Sequence, residues 1–379
     1  MTAKKILLVG NGFDLAHSLL TGYGDFLYIM KNWDEFYKTF LHVRQSWDIS
    51  PKKEFGKYLV NAHDMNDDNL MILGDIIKEN SWVHYYCNCE AEIDGWIDFE
   101  RELYPVMDLF AEVFAAEYSM QEVDYIALGK GASIKVSANA RRVGKLFEKY
   151  IVVRDNYFIV KASFVSKQYG ILKKKMLQTL KEEFDEFIKA FEIYLLEFVH
   201  KKKDIKTLKQ IKNINADRVI SFNYTLTEKI YGISEENTHH LHGKIRENIN
   251  DSQNHNDMVL GASERTEQNL DFIYFIKYFQ RIQKRIGTKY KDFLDVVTDE
   301  RGDIYSYDLH IYGHSLDKTD EDVLKTVMGY ARQIFIYYYN QEDYERKVIN
   351  LIDLYGRDEV EENIEDYRFQ FVQTFGETV

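Results

Sequence analysis

Apolar residues recur along the chain in two rhythms. Lys5-Ile-Leu-Leu-Val9 is a short continuous apolar run bounded by Gly10-Asn11-Gly12. A run apolar on both faces predicts a buried parallel strand, with a helix following over Phe13 to Leu20. From about residue 31 to 210 the pattern is mostly helical. Its clearest stretch is Leu172 to Val199, where Leu177, Leu180, Phe184, Phe187, Phe191, Tyr194 and Phe198 recur at three- and four-residue steps. His200-Lys201-Lys202-Lys203 then places cations where a helix dipole favours them. This stripe reads as a packed amphipathic helix, with a coiled-coil-like assembly face as the alternative.

The last third returns to short apolar runs, each followed by a turn. Arg218 to Phe222 precedes Asn223-Tyr224-Thr225, His239 to His242 precedes Gly243, and Met258 to Leu260 precedes Gly261. Tyr307 to Tyr312 precedes Gly313-His314-Ser315, and Gln333 to Tyr339 precedes Asn340. Helical patterns lie between them at Thr319 to Tyr330 and Glu342 to Tyr355. Strands alternating with helices predict an α/β fold, a Rossmann-like and mostly parallel sheet covered on both faces. The first strand needs the same sheet. The simplest architecture joins residues 1–30 and 211–379 as one α/β nucleotide-binding domain, with 31–210 a mainly helical insertion.

Composition narrows the function. The chain has 379 residues and a net charge of −13, which argues against a broad footprint for nucleic acid or an anionic membrane. No apolar run is long enough to span a bilayer. The cysteines, Cys87 and Cys89, are too close to bridge each other, so a reducing, cytoplasmic setting is expected. No metal is expected. There is no P-loop, H-E-x-x-H, G-x-S-x-G or paired CxxC.

In an open α/β sheet, ligands bind beyond the carboxyl ends of the strands. The candidates are therefore Gly10, Asn11, Gly12 and Asp14 after the first strand, Asn223 after the second, His242 and Gly243 at the third, and Gly313 and Ser315 after a later one. Gly10 and Gly12 permit close approach of backbone to phosphate, or simply a tight strand-to-helix turn. Asp14 reads as a ribose or amide contact, or as a first-turn helix carboxylate. Strand alternation puts His240 and His242 on one face, so three metal ligands from this strand are not expected, and one histidine acting as a base is the better reading. Asn223 orients a hydroxyl or water, or caps a helix beginning near Thr225. Asp98 and Glu100 in Trp96-Ile-Asp-Phe-Glu100 would share a face on a strand but not on a helix.

Taken in order, Leu8 to His17, Thr21 to Leu27, Trp96 to Glu100, Ser221 to Thr225, His240 to Gly243 and Gly313 to Asp317 resemble the blocks of the bacteriophage abortive infection AbiH family. That family is more distantly similar to sirtuin-like NAD-binding domains. Gly10-Asn11-Gly12 matches the sirtuin Gly-Ala-Gly turn, Asn223 its catalytic-block asparagine, His242-Gly243 its His-Gly, and Gly313 to Leu316 its Gly-x-Ser-Leu. Gly24 and Leu27 replace the proline and arginine of the sirtuin Pro-Asp-Phe-Arg segment, and Thr225 replaces an aspartate. A sirtuin zinc ribbon needs four cysteines, so protein deacetylation is not expected. The resemblance implies an anti-phage protein that hydrolyses NAD, with Asn223 orienting ribose or water and His242 as base. A non-catalytic NAD or ADP-ribose sensor and a metal-dependent nuclease using Asp98 and Glu100 are the alternatives. The expected partner is a small-molecule nucleotide; a homo-oligomer and a phage-derived trigger stay open.

Overall fold

A computed structural model describes residues 4–46, 54–89, 96–116, 118–120, 125–128, 137–154, 157–166, 168, 170–249, 255–263, 269–294, 297–298, 304–305 and 307–374. The chain divides into two compact units. One comprises Met1–Gly22, Leu195–Val259 and Arg281–Val379; the other comprises Tyr23–Tyr194 and Leu260–Gln280.

The first unit is a six-stranded sheet, parallel throughout. In chain order its elements are β1 (Lys4–Val9), α1 (Asn11–Ala16), α2 (Lys209–Ile214), β2 (Arg218–Ser221), β3 (Thr238–His240), β4 (Tyr307–Tyr312), α3 (Glu321–Gly329), β5 (Ala331–Tyr338), α4 (Gln341–Tyr355), α5 (Arg357–Glu365) and β6 (Phe369–Gln373). The spatial order is β6-β5-β4-β1-β2-β3. The chain winds outward from β1 to one edge, then restarts beside β1 at β4 and winds to the other. The reversal between β1 and β4 is the topological switch point of a doubly wound sheet.

Side-chain alternation sorts the core onto two faces. Ile6 and Leu8 join Leu309, Ile311, Ile334 and Ile336 in one apolar cluster with Val323, Leu324 and Val327 of α3, Leu351 and Leu354 of α4 and Val360 of α5. Leu7 and Val9 join Val219, Tyr312 and Tyr337 in the other, with Phe13 of α1 and Ile211 and Ile214 of α2. Both faces of β1 are thus covered, as its unbroken apolar run requires.

Register brings the strand ends to one level. Val9 lies opposite Tyr312 on one side and Ser221 on the other, and Ser221 lies opposite His240. The residues that follow form a single rim at the carboxyl edge.

The second unit is largely helical. Its longest helix, Lys173–Tyr194, is continued along the chain by a π-helical turn, Leu195–His200. Tyr23 and Tyr86 stack on Phe99 at 3.9 Å and 4.0 Å between ring centres, with Phe187 and Phe191 packed alongside. Asn80 ends one helix and caps the next, and its Nδ2 donates to the Glu183 carbonyl at 2.6 Å.

Several elements depart from the pattern. The helix after β1 stops at Ala16, because Ser18 takes a positive φ of 57°. Met258 to Leu260 is not a strand; instead the Val259 N–H donates to the His242 carbonyl, and the Tyr224 hydroxyl to that of Val259. The helical region also contains a four-stranded antiparallel sheet of Tyr118–Met120, Tyr125–Leu128, Tyr157–Lys161 and Ile151–Arg154. Its strands are short, and runs of three to five residues give periodicity little to work on.

Gly313 carries the tightest constraint in the sheet. Its φ is +69°, and a Cβ there would lie 2.1 Å from the Phe13 nitrogen. Gly313→Ala should therefore destabilise the protein by at least about 2 kcal/mol, read as a lowered midpoint in urea unfolding. An unchanged midpoint would show that the two turns separate without cost.

Candidate functional site

The rim is built on contact between two turns. Beyond β1, the Gly10 N–H donates to the Tyr312 carbonyl at 3.2 Å and the Gly12 N–H to the Gly313 carbonyl at 2.8 Å. A Cβ on Gly10 would lie 2.8 Å from the Gly313 oxygen, and one on Gly12 would lie 2.7 Å from the Gly313 Cα. Missing side chains at all three positions let two backbones touch at the switch point. At Gly10 and Gly12 the place a side chain would take is occupied by the neighbouring turn. The Gly12 N–H is also engaged, and Phe13 donates to the Gly10 carbonyl at 2.9 Å. Asn11 is the first residue of the short helix α1.

Asn223 follows β2 and is buried. Its Nδ2 donates to the Gly10 carbonyl at 3.0 Å, tying the β2 end to the glycine turn. It does not cap the following 3-10 turn, Thr227–Tyr231, whose N-cap is Leu226. The Asn223 carbonyl bonds His240 Nδ1 at 3.0 Å, so this residue links the ends of three strands.

Asp14 lies in the first turn of α1 but points inward. Its Oδ2 accepts from the Thr225 hydroxyl at 2.6 Å, while Oδ1 is buried with no hydrogen-bond partner among the described residues. Burial pushes its carboxyl up to about 6, opposed by the Thr225 and Thr227 hydroxyls and reinforced by Glu228. Glu228 is itself buried, with Oε1 3.3 Å from His240 Nε2.

Strand alternation ends at His240. The Leu241 N–H donates to the Ser221 carbonyl, and the chain then turns at Gly243, whose φ is +72° and where a Cβ would lie 2.2 Å from the Asp257 oxygen. His240 and His242 therefore do not act on one face. His240 meets Glu228, whereas His242 Nε2 lies 3.5 Å from Asp320 Oδ1. His239 packs against Tyr290, and burial lowers it to about 4.

Across the switch point, His314 Nε2 lies 3.6 Å from the other oxygen, Asp320 Oδ2. Phe222 stands against both imidazoles, with ring centres 4.2 Å from His314 and 5.4 Å from His242. The loop is fastened from α4: buried Lys347 donates to the His314 carbonyl at 2.7 Å and Asn350 to that of Ser315 at 2.8 Å. Desolvation lowers the Lys347 ammonium.

The structure thus joins Gly10, Gly12 and Gly313 directly, brings Asn223 to Gly10 and Asp14 to Thr225, and sets His242 on Asp320. Ser315 enters through its carbonyl. Sequence reasoning missed Asp320, Glu228 and Lys347. Asp320 sits just ahead of α3 beside Asp317 and reads as an ordinary helix-start carboxylate; only the fold shows what it faces.

In the second unit, Trp96–Arg101 is a helix, so positions 98 and 100 lie on different faces. The Asp98 side chain lies outside the described residues. Glu100 is buried against Lys277, with Nζ 2.7 Å from Oε1. Among the described residues, no three or more His, Cys, Asp and Glu side chains are arranged to hold a metal ion. No described helix is long and apolar enough to cross a membrane.

Asp14 yields a stability prediction with a definite sign. Its folded value of about 6 exceeds the ordinary 3.8, so the folded state binds the proton more tightly. Stability from this group is full below about 4 and falls as pH rises through 6. Asp14→Asn removes that dependence. The unfolding free energy of wild type minus variant should fall between pH 4 and 7, measured by urea titration at each pH. A flat difference would show that Asp14 is not strained by burial.

No curated protein and no solved structure matches the chain. A family model described as bacteriophage abortive infection AbiH matches residues 6–339, which contain the whole rim from Gly10 to Asp320. The chain belongs to the bacteriophage abortive infection AbiH family.

Proposed function

We propose that this abortive infection protein acts by hydrolysing NAD to nicotinamide and ADP-ribose at the rim of its parallel sheet. The observation that carries the reading is buried His242 paired with half-buried Asp320 at the strand ends, on the same edge as Asn223 and the glycine turn. A histidine beside a carboxylate is the arrangement expected of a general base. Doubly wound sheets bind nucleotides at this edge and this switch point. The likeness to sirtuin-like domains supplies the substrate class.

The reaction adds water across the bond between nicotinamide and ribose. The C1′–N bond breaks, and its electron pair passes to the ring nitrogen and discharges the pyridinium. The water oxygen bonds to C1′. His242 accepts the water proton. Asn223 already spends Nδ2 on the Gly10 carbonyl, so Oδ1 is the end of its amide that would orient water or a ribose hydroxyl. Gly10, Asn11, Gly12, Gly243, Gly313 and Ser315 would shape the floor beneath the dinucleotide. Asp14 would offer its unpartnered Oδ1 to a hydroxyl donor. A nuclease reading has less support, since the Glu100 carboxylate is committed to Lys277.

The test is NAD consumption by the purified protein, with released nicotinamide and ADP-ribose followed by chromatography. Wild type should consume NAD. His242→Ala should lower the rate by about a hundredfold or more, and Asn223→Ala should also abolish turnover. Full activity in His242→Ala would remove the histidine from the mechanism. NAD bound tightly but not consumed by wild type would favour a sensor; neither binding nor consumption would defeat the reading.

A further inference from the structure

We infer that Asp320 is a positioning residue for His242, stabilising the imidazolium formed when His242 takes a proton, and that His314 holds the carboxylate in place for that purpose. The inference rests on the base role proposed for His242.

Three observations carry it. First, one carboxylate is divided between two imidazoles: Oδ1 is 3.5 Å from His242 Nε2, and Oδ2 is 3.6 Å from His314 Nε2. Second, the tautomer of neutral His314 is set by the backbone. The Leu316 N–H donates to His314 Nδ1 at 3.0 Å, so the ring proton resides on Nε2, facing Asp320. His314 thus turns an N–H toward one oxygen of Asp320, and the other oxygen faces His242. Third, the partners are held from several sides. The His314 carbonyl is bound by Lys347, the Asp320 N–H donates to the Asp317 carbonyl, and Asp317 Oδ1 accepts from the Thr319 N–H.

The setting makes that charge count. His242 and His314 are 7% and 5% exposed, and the Asp320 side chain 13%. Away from bulk water, a carboxylate at this distance favours the protonated imidazole. Among the described residues, the Tyr224 ring also lies near His242, 6.3 Å away between ring centres. Glu228 is turned to His240 instead.

The experiment uses Asp320→Asn, which keeps shape and removes charge, with Asp320→Glu as the conservative rescue. Two readouts are taken on full-length protein. The first is the His242 titration, followed by NMR on isotope-labelled histidine, its signal identified by its loss in His242→Gln. The midpoint should fall by about one pH unit or more in Asp320→Asn and return toward wild type in Asp320→Glu. The second is the pH dependence of NAD hydrolysis. In Asp320→Asn the acid limb should move to lower pH, with kcat down about tenfold to a hundredfold and KM little changed. Titrations and pH profiles that superimpose on wild type would overturn the inference. If wild type does not consume NAD, the substrate reading fails alone; the titration still decides whether Asp320 governs His242.

Discussion

The approach of two backbone turns, Gly10–Gly12 and Gly313, is the constraint on which the site depends. They meet at the switch point of the sheet, where strands wound in opposite directions leave their ends side by side. Contact this close is available only to glycine, and a hydrogen bond from Gly12 to the Gly313 carbonyl seals it. Everything nearby is referred to that joint. Asn223 ties the end of β2 to Gly10, and His240 in β3 is tied to Asn223. Register then places Phe222, His242 and His314 around one rim.

Around the joint the protein keeps titratable groups out of water. An isolated buried carboxylate is costly, so each needs compensation. Asp14 has the Thr225 hydroxyl on one oxygen, and burial raises its proton affinity. Asp320 lies between two imidazoles, and Glu228 lies against His240. Three carboxylates in one neighbourhood thus meet three kinds of surroundings, a pattern by which related groups acquire separate chemical roles.

The fold was legible where the pattern was long or doubly apolar. The run Lys5 to Val9 announced a buried central strand, and the stripe from Leu177 to Phe198 announced a long helix. Rim residues were legible because they follow apolar runs: Gly10, Asn223, His242 and Gly313 all do. What they touch was not. Gly10 and Gly12 read as a phosphate turn or a tight turn, and their packing against a turn about three hundred residues away is a separation no local pattern encodes. Met258 to Leu260 looked like a strand but is held by the His242 carbonyl and the Tyr224 hydroxyl, both tertiary contacts. Asp320 sat in an unremarkable helix start.

The position of β1 bears on when the rim can assemble. This strand precedes the others of its sheet in the chain but sits in the middle of it, and its neighbours arrive roughly two hundred and three hundred residues later, separations that make for slow, non-local folding. A growing chain carries this apolar strand without either partner strand. The joint with Gly313, and the carboxylate of Asp320, come later still. An unfinished polypeptide therefore holds no assembled rim. The rim is thus a property of the whole sheet, complete only when strands from both ends of the chain have met.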